Sequence, residues 1–264
     1  MKADETRNIV REHYAKVATG GAGCAPGCCE MLNDKASAAL GYTSTDSAAA
    51  PDGADLGLGC GNPTAIASLR AGETVLDLGS GGGFDCFIAA KQVGPTGRVI
   101  GVDMTPEMIT RARTNATKVN ATNVEFRLGE IEHLPVADGS VDAIVSNCVV
   151  NLSPEKSTVF REAFRVLKPG GRIALSDVVA IAPLPAGLQD QVAALAGCIA
   201  GAAPIEDVRR MLVDAGFTDV RVEPLPHSAA IVGAWLPGIE SFVASVTIEA
   251  SRPAAACCQP GCCA

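Results

Sequence analysis

The sequence predicts an α/β fold with a mostly parallel, seven-stranded sheet and helices on both faces. Two observations predict it. From Glu73 onward, short apolar runs with strand character alternate with amphipathic helical segments, which is the pattern of a parallel sheet. A glycine-rich loop, Gly79–Gly83, directly follows the first apolar run, and doubly wound sheets bind nucleotides at such a loop.

The elements follow in order along the chain. Seven strands are predicted at Val75–Leu78, Arg98–Val102, Val124–Leu128, Val141–Asn147, Arg172–Val178, Thr218–Glu223 and Phe242–Ile248. Core helices are predicted at residues 84–93, Pro106–Asn115, Ser153–Leu167, Leu188–Ala200 and Pro204–Ala215. Gly94-Pro95, the turn at residues 168–171 and Gly216 supply helix stops.

Segments of different composition flank this core. Residues 5–19 predict an amphipathic helix, and residues 20–63 predict mostly loop. The last residues carry two cysteine pairs, Cys257-Cys258 and Cys262-Cys263, and little that builds a core. We therefore divide the chain into an N-terminal helix and cysteine-bearing cap (1–68), a nucleotide-binding core (69–180), an insertion helix with the rest of the sheet (181–250) and a flexible tail (251–264).

Composition restricts the function classes. A net charge of −8 and a pI near 4.9 argue against a nucleic-acid partner. The sequence begins without a signal peptide and has no apolar run near the roughly 20 residues of a membrane helix. We expect a cytoplasmic monomer without membrane contact. Eleven cysteines, an odd number in such a protein, favour free thiols with metal, metalloid or redox chemistry over a disulfide framework.

The glycine loop departs from the dinucleotide pattern, because Phe84 stands where a third glycine is expected. It reads Asp77-Leu78-Gly79-Ser80-Gly81-Gly82-Gly83, which resembles the first motif of class I S-adenosylmethionine-dependent methyltransferases. The other motifs of that superfamily follow in order from about residue 70 to 180. The resemblance implies a Rossmann-like class I methyltransferase fold with S-adenosyl-L-methionine as cofactor. The residues it implies for cofactor binding are Asp77, Gly79, Ser80, Gly81, Asp103, Met104, Glu130, Ile131, Glu132 and Asn147.

The methyl acceptor is less evident from the residues alone. Of the three histidines, His133 lies in the predicted adenine segment, and we expect His13 and His227 at the surface. Cys148 follows the fourth strand, where ligands of open α/β sheets bind. Taken alone, Cys60, Cys148 and Cys198 each fit a reactive thiol or a small buried apolar residue. For Cys86 the buried structural interpretation is favoured.

A closer resemblance concerns the acceptor. The segments Leu58–Pro63, Gly82–Cys86, Gly129–Glu132 and Ser146–Pro154, with Cys198 beyond them, look like those of arsenite methyltransferases over about residues 8–225. The resemblance implies that Cys60, Cys148 and Cys198 are catalytic and bind arsenic(III), and that Cys28 or Cys29 takes part in thiol exchange. It also implies arsenite and methylated trivalent arsenicals as substrates, with thioredoxin or glutathione as reductant.

The chemistry is consistent with that resemblance. Thiolates are the ligands that soft centres such as arsenic(III) select, and three of them leave arsenic a lone pair that attacks a methyl group without any general base. Two alternatives stay open: a quinone or other small-molecule C- or O-methyltransferase that tolerates Cys148→Ser, and a metalloid-binding protein without turnover. For the tail cysteines, the alternatives are arsenite capture and relay, or a dispensable segment.

Overall fold

Seven strands form one sheet in the part of the chain that the computed structural model describes, residues 3–20, 34–185 and 198–255. The strands are β1 (Thr74–Leu78), β2 (Arg98–Asp103), β3 (Val124–Leu128), β4 (Val141–Asn147), β5 (Leu167–Ala180), β6 (Thr218–Pro224) and β7 (Val243–Ser251). Their order is β3-β2-β1-β4-β5-β7-β6. The first five pair in parallel, and β7 runs antiparallel to both β5 and β6. The predicted fold class is confirmed.

Helices cover both faces of this sheet. They are α1 (Ala3–Ala18), α2 (Asp34–Ala39), α3 (Ser44–Ser47), α4 (Pro63–Ile66), α5 (Phe84–Val93), α6 (Pro106–Lys118), α7 (Lys156–Val166), α8 (Ile205–Asp214) and α9 (Ser228–Trp235). Successive strand residues point to opposite faces: Val75 packs in one buried cluster with α5 and α6, and Leu76 in another with α7 and α8. Burial on both faces explains why these strands are apolar without alternation.

The strand order sets the position of a binding crevice. Chain connections lead from β1 outward to β2 and β3 on one side, and from β4 to β5 on the other. The direction in which successive strands are added to the sheet therefore reverses between β1 and β4. Ligands of such sheets bind at the carboxyl ends of the strands at that point. The glycine loop after β1 and Cys148 after β4 both lie there.

Several predicted boundaries need correction. Cys198–Ala200 form a turn and not the end of a helix, while residues 186–197 of the predicted insertion helix lie outside the described residues. Strand β5 begins at Leu167, where the sequence predicted the end of a helix and then a turn at residues 168–171, because Leu167 already pairs with Val141. Residues 34–66 contain short helices α2, α3 and α4.

The C-terminal part also differs from the prediction. Helix α9 was not predicted. Strand β7 continues to Ser251, and the Arg252 backbone N–H donates to the Gly171 carbonyl at 2.8 Å, so the sheet extends beyond the predicted tail boundary. Cys28, Cys29 and the four tail cysteines lie outside the described residues. None of the helices described is both long and apolar enough to span a membrane.

Candidate active site

A single pocket joins the glycine loop to two of the cysteines. Gly79, Ser80 and Gly81 line one part of its wall, and Cys148 and Cys198 line another. The pocket lies at the carboxyl ends of β1 and β4, where the strand order predicts a crevice. A ligand that fills it touches the loop and the thiols together.

The glycine loop is pinned between two strands. The backbone N–H groups of Gly79 and Ser80 both donate to the Val102 carbonyl at the end of β2, at 2.8 and 3.0 Å. Gly79 has φ of 70°, and a Cβ there would collide with the Val149 side chain. Only glycine fits, because a side chain would be strained and would close the crevice.

Asp103 ends β2 with its carboxylate held by the backbone. One oxygen accepts the Gly81 N–H at 3.0 Å and the other accepts the Thr105 N–H at 2.8 Å. Burial raises the pKa of Asp103, and these two hydrogen bonds oppose that rise. Each oxygen keeps a further lone pair, so the oriented carboxylate can accept hydroxyl groups of a ligand. Met104 lines the pocket beside it.

Two further carboxylates, Asp77 and Asp85, line the same pocket. Asp77 is buried and accepts a hydrogen bond from the Cys86 thiol at 3.2 Å. Burial, followed by the charge of Asp85, holds the pKa of Asp77 well above its usual range. Burial also raises the pKa of Asp85, to about 6, against the hydrogen bonds that it receives.

The charge of the pocket lining fits a cationic ligand such as S-adenosylmethionine. No lysine or arginine of the described chain is among the lining residues of the pocket. Five acidic residues line it: Asp55, Asp77, Asp85, Asp103 and Glu132. Glu132 is paired with Arg7, but the buried carboxylates that have no cationic partner are costly until a positive charge arrives. The Ser80 hydroxyl is likewise buried without a hydrogen-bond partner among the described residues, and a ligand at the loop would supply one.

The N-terminal helix holds the predicted adenine segment. Ile131 and Glu132 line the pocket, while Glu130 is not a lining residue. Arg7 of α1 lies 3.3 Å from the buried Glu132 and also pairs with Glu155, and Arg11 lies 3.1 Å from Glu130. Sequence reasoning missed this role of α1, although Arg7 and Arg11 are spaced to share one helix face.

The positions of the histidines correct one expectation. His13 is half-buried and lines the pocket together with Val10 and Tyr14 of α1. Burial lowers the pKa of His13, and Lys16 adds to that shift. His227 is exposed, as predicted. His13 therefore lies at the pocket wall and not at the outer surface, because α1 closes over the crevice.

The three predicted cysteines come together although they are distant in the chain. Cys60 lies in the turn before α4, Cys148 directly after β4 and Cys198 in the turn before β6 and α8, and all belong to one buried apolar cluster. The Cys198 thiol donates to the Cys148 carbonyl at 2.8 Å. The thiols of Cys198 and Cys60 also lie near enough to the Cys148 thiol to influence its pKa.

The environment of two of these thiols, Cys60 and Cys148, disfavours their ionisation. Burial raises the pKa of Cys60 and raises the pKa of Cys148 further, where the neighbouring thiols add to the effect. Among the described residues, no group of three or more His, Cys, Asp or Glu side chains meets the geometry of a metal-ion site. The arrangement is that of buried thiols in an apolar wall.

The backbone at two of the thiols is unusual. Cys148 and Cys198 have φ of 57° and 62°, in the left-handed region that residues other than glycine seldom adopt. The Cys148 N–H donates to the Ser176 carbonyl at 2.8 Å and holds this turn against β5. Strained backbone is concentrated at functional sites, which supports a role for both residues.

Asp177 fixes the chain that follows Cys148. Its carboxylate accepts the N–H groups of Val150 at 2.9 Å and Val178 at 2.8 Å. Burial raises the pKa of Asp177 to about 6, and those hydrogen bonds with the charge of Lys156 reduce the rise. No sequence signal singled out Asp177, which lies within a long apolar strand.

The chain is similar to known methyltransferases over most of its length. A family described as "Methyltransferase domain" matches residues 69–216. The arsenite methyltransferase of Halobacterium salinarum is 53% identical over 95% of this chain and 68% of its own. The chain belongs to the arsenite methyltransferase family. The family resemblance that the sequence motifs indicated is confirmed.

Two further family members agree with this assignment. The arsenite methyltransferase of Aquipseudomonas alcaligenes is 46% identical over 64% of this chain and 51% of its own, so the chain spans about half of that relative. An arsenic(III) S-adenosylmethionine methyltransferase from Chlamydomonas reinhardtii has a solved structure that matches with a TM-score of 0.62 and 35% identity. This match covers 84% of this chain and 74% of that one.

Proposed function

We propose that the protein is an arsenite methyltransferase that transfers methyl groups from S-adenosylmethionine to trivalent arsenic. The arsenic is held by Cys60, Cys148 and Cys198, and the products are methylated arsenicals. The observation that supports this most is the shared pocket, with Gly79 and Asp103 at one end and Cys148 and Cys198 at the other. Family membership supports the same substrate and cofactor.

Arsenic loading is an exchange of hydroxyl groups for thiols. Each cysteine forms one As–S bond, and its proton leaves with a hydroxide of arsenite as water, so three thiols release three waters. The raised thiol pKa values suit this exchange, because the proton is delivered by the thiol itself. The apolar cluster around the thiols excludes bulk water from the product.

Methyl transfer needs alignment and no general base. S-adenosylmethionine supplies, when bound, an electrophilic methyl group on a sulfonium. The lone pair of thiolate-bound arsenic forms the As–C bond, the C–S electrons stay on sulfur, and no proton leaves arsenic. The chain's task is then to hold the two ends of the pocket at the reacting distance.

Return to the trivalent state requires two electrons. Two further cysteine thiols supply them and form a disulfide, while the methylated arsenic releases one of its three thiolates. One thiol proton goes to the departing thiolate and the other to solvent, and thioredoxin or glutathione reopens the disulfide by thiol exchange. Cys28 or Cys29 takes part in this exchange. The protein acts as a cytoplasmic monomer.

Turnover of the reduced full chain tests the proposal. Arsenite, S-adenosylmethionine and a thiol reductant are supplied, and arsenic species are separated by chromatography with elemental detection. Methylated arsenic from the wild type, lost in Cys148→Ser and Cys198→Ser, is the expected result. Cofactor binding without any methylated arsenic would instead favour another acceptor, and arsenite binding without turnover a metalloid-binding protein.

A further inference from the structure

Cys60 is the most deeply placed of the three thiols. Its side chain is 0% exposed, and it is not among the residues that line the pocket, whereas Cys148 and Cys198 both are. It lies in the short turn between Gly59 and Gly61. A thiol in such a turn reaches a shared substrate only when the turn itself is held in place.

Asn147 holds that turn with its whole amide group. Its Oδ1 accepts the Cys60 backbone N–H at 2.9 Å, and its Nδ2 donates to the Gly61 carbonyl at 2.8 Å. The contact is close, because a Cβ on Gly59 would lie 2.8 Å from Asn147 Nδ2. Asn147 lines the pocket, as predicted for a cofactor residue, yet its hydrogen bonds serve the Cys60 turn.

Tyr42 fixes the orientation of that amide. Asn147 Nδ2 also donates to the Tyr42 hydroxyl at 3.0 Å, and that hydroxyl donates to Asp85 Oδ1 at 2.7 Å. The Tyr42 side chain is buried, and its ring packs edge-on against Phe84 with centroids 4.9 Å apart. Because the hydroxyl is an acceptor for one group and a donor to the other, it joins them in one defined arrangement.

The other end of this connection is the glycine loop. Asp85 lies in the first turn of α5, two residues after Gly83, and lines the pocket. A continuous chain of hydrogen bonds therefore runs from the start of α5 through Tyr42 and Asn147 to Cys60. It connects the loop that faces the cofactor to the deepest thiol.

We propose that Tyr42 is a positioning residue that holds Cys60 in register with the glycine loop, so that arsenic can take a third thiol. The inference rests on the proposed function. It separates two classes of trivalent arsenical by their chemistry. Arsenite has three exchangeable hydroxyls and uses all three thiols, whereas a monosubstituted arsenical R–As(OH)₂ has two and is held by Cys148 and Cys198, which share the pocket wall.

The test compares the two classes in the Tyr42→Phe variant of the full chain. Trp235 is the sole tryptophan and lines the same pocket, so its fluorescence reports arsenical binding there. Arsenite and phenylarsenous acid are titrated in a phosphine reductant. The variant keeps the ring and loses the hydroxyl, and we expect arsenite binding to weaken about tenfold, the equivalent of about 1.4 kcal/mol, with phenylarsenous acid within about twofold.

Two further variants serve as a control and as an alternative to Tyr42→Phe. Thr43→Ala removes the neighbouring helix cap, in which Thr43 Oγ1 accepts the Asp46 N–H at 3.2 Å, but leaves the connection to Asn147. It should bind both arsenicals like the wild type. Should Tyr42→Phe fail to fold, Asn147→Ala breaks the next link and should give the same selective loss.

The outcomes separate the two claims. Selective weakening of arsenite with an unchanged thermal midpoint supports the positioning role. Equal weakening of both arsenicals, or no weakening of either, overturns it. If the wild type itself binds neither arsenical, the proposed function fails first.

Discussion

The two ends of the pocket are built on opposite principles. The cofactor end, which comprises Gly79–Gly83 with Asp77, Asp85 and Asp103, is rich in buried carboxylates and backbone hydrogen bonds. The thiol end, which comprises Cys60, Cys148 and Cys198 with their apolar neighbours, holds neutral side chains. One end is completed by a positive charge, and the other by covalent exchange with a thiophilic centre.

This difference explains how one crevice accepts two unlike ligands. Negative charge at the cofactor end is costly in a low-dielectric site until a cation binds. The thiol end gains from excluding water, because its As–S bonds need no charged partner. Apart from changes to the hydrogen bonds that connect Asp85 through Tyr42 and Asn147 to Cys60, changes at one end should therefore affect one ligand and spare the other.

The largest expected effect is at the thiol end. Cys148→Ser replaces a soft sulfur with a hard oxygen, and arsenite methylation should fall by about 100-fold or more while cofactor affinity changes little. Methylated arsenic and the cofactor dissociation constant are measured on the same preparation. Cys86→Ser, which replaces a buried thiol of the cofactor end, is the matched control and should keep its arsenite affinity. Loss of cofactor binding in Cys148→Ser would contradict the separation of the two ends.

The reciprocal change is Asp103→Ala at the cofactor end. It removes a carboxylate whose oxygens accept the Gly81 and Thr105 N–H groups and which faces the pocket. Hydrogen bonds to charged groups contribute about 2 kcal/mol, so cofactor affinity should fall roughly thirtyfold. Isothermal titration with S-adenosylmethionine checks this, and arsenite affinity, read from Trp235 fluorescence, should be retained. A parallel loss of arsenite affinity would count against independent ends.

The two ends also differ in how far the sequence predicts them. The cofactor end is built from one contiguous motif, Asp77–Asp85, and from Asp103 at the end of the next strand. The positions of Gly79 and Asp103 therefore follow from the pattern of strand, loop, helix and strand. The thiol end is assembled from three distant turns, and only the family resemblance joined Cys60 to Cys148 and Cys198. The convergence of such turns depends on how the strands and helices pack, and that packing leaves no local signal.

Supporting residues escaped prediction for the same reason. Tyr42 and Asp177 act through hydrogen bonds to groups remote in sequence or to backbone, and neither stands in a recognisable pattern. The His13 expectation was wrong because its helix appeared peripheral in the sequence, whereas α1 closes the pocket. Arg7 also escaped prediction, because its ion-pair partners Glu132 and Glu155 are distant in sequence.

An effect on stability is expected where α1 joins the cofactor end. Arg7→Ala removes the guanidinium that is paired with the buried Glu132 and leaves the Ser153 hydroxyl, at 2.6 Å, as its side-chain hydrogen-bond donor among the described residues. The free energy of unfolding should fall by about 2 kcal/mol, measured by urea denaturation. Arg210→Ala, which breaks an exposed pair with Asp207, should change it by less than about 0.5 kcal/mol. Equal effects of the two variants would show that α1 is not anchored as described.

The last expected effect is a pH dependence of the free energy of unfolding, to which carboxyls at both ends contribute. Asp85 and Asp177 each have a pKa of about 6 in the folded protein, above the value of about 3.9 in an unfolded chain. The folded state therefore binds more protons between about pH 4 and 6, and these carboxyls lower stability as pH rises through that window. Asp85→Asn and Asp177→Asn should each reduce this fall by about 2 kcal/mol, measured by urea denaturation at pH 4.5 and 7.

Saturating S-adenosylmethionine should separate the two contributions. A cation at the cofactor end lowers the pKa of Asp85 and leaves Asp177 largely unaffected. The difference between wild type and Asp85→Asn should then shrink, and that between wild type and Asp177→Asn should persist. An equal response of both carboxyls to the cofactor would contradict the assignment of Asp85 to one end.

The proposed function depends above all on three thiols that hold the arsenic together. The most direct test is arsenic K-edge X-ray absorption on the chain with one equivalent of arsenite, after every cysteine except Cys60, Cys148 and Cys198 has been changed to serine. We predict a first shell of three sulfurs in this protein, and two sulfurs with one oxygen after the further change Cys60→Ser. A shell with fewer than three sulfurs before that change would contradict the claim.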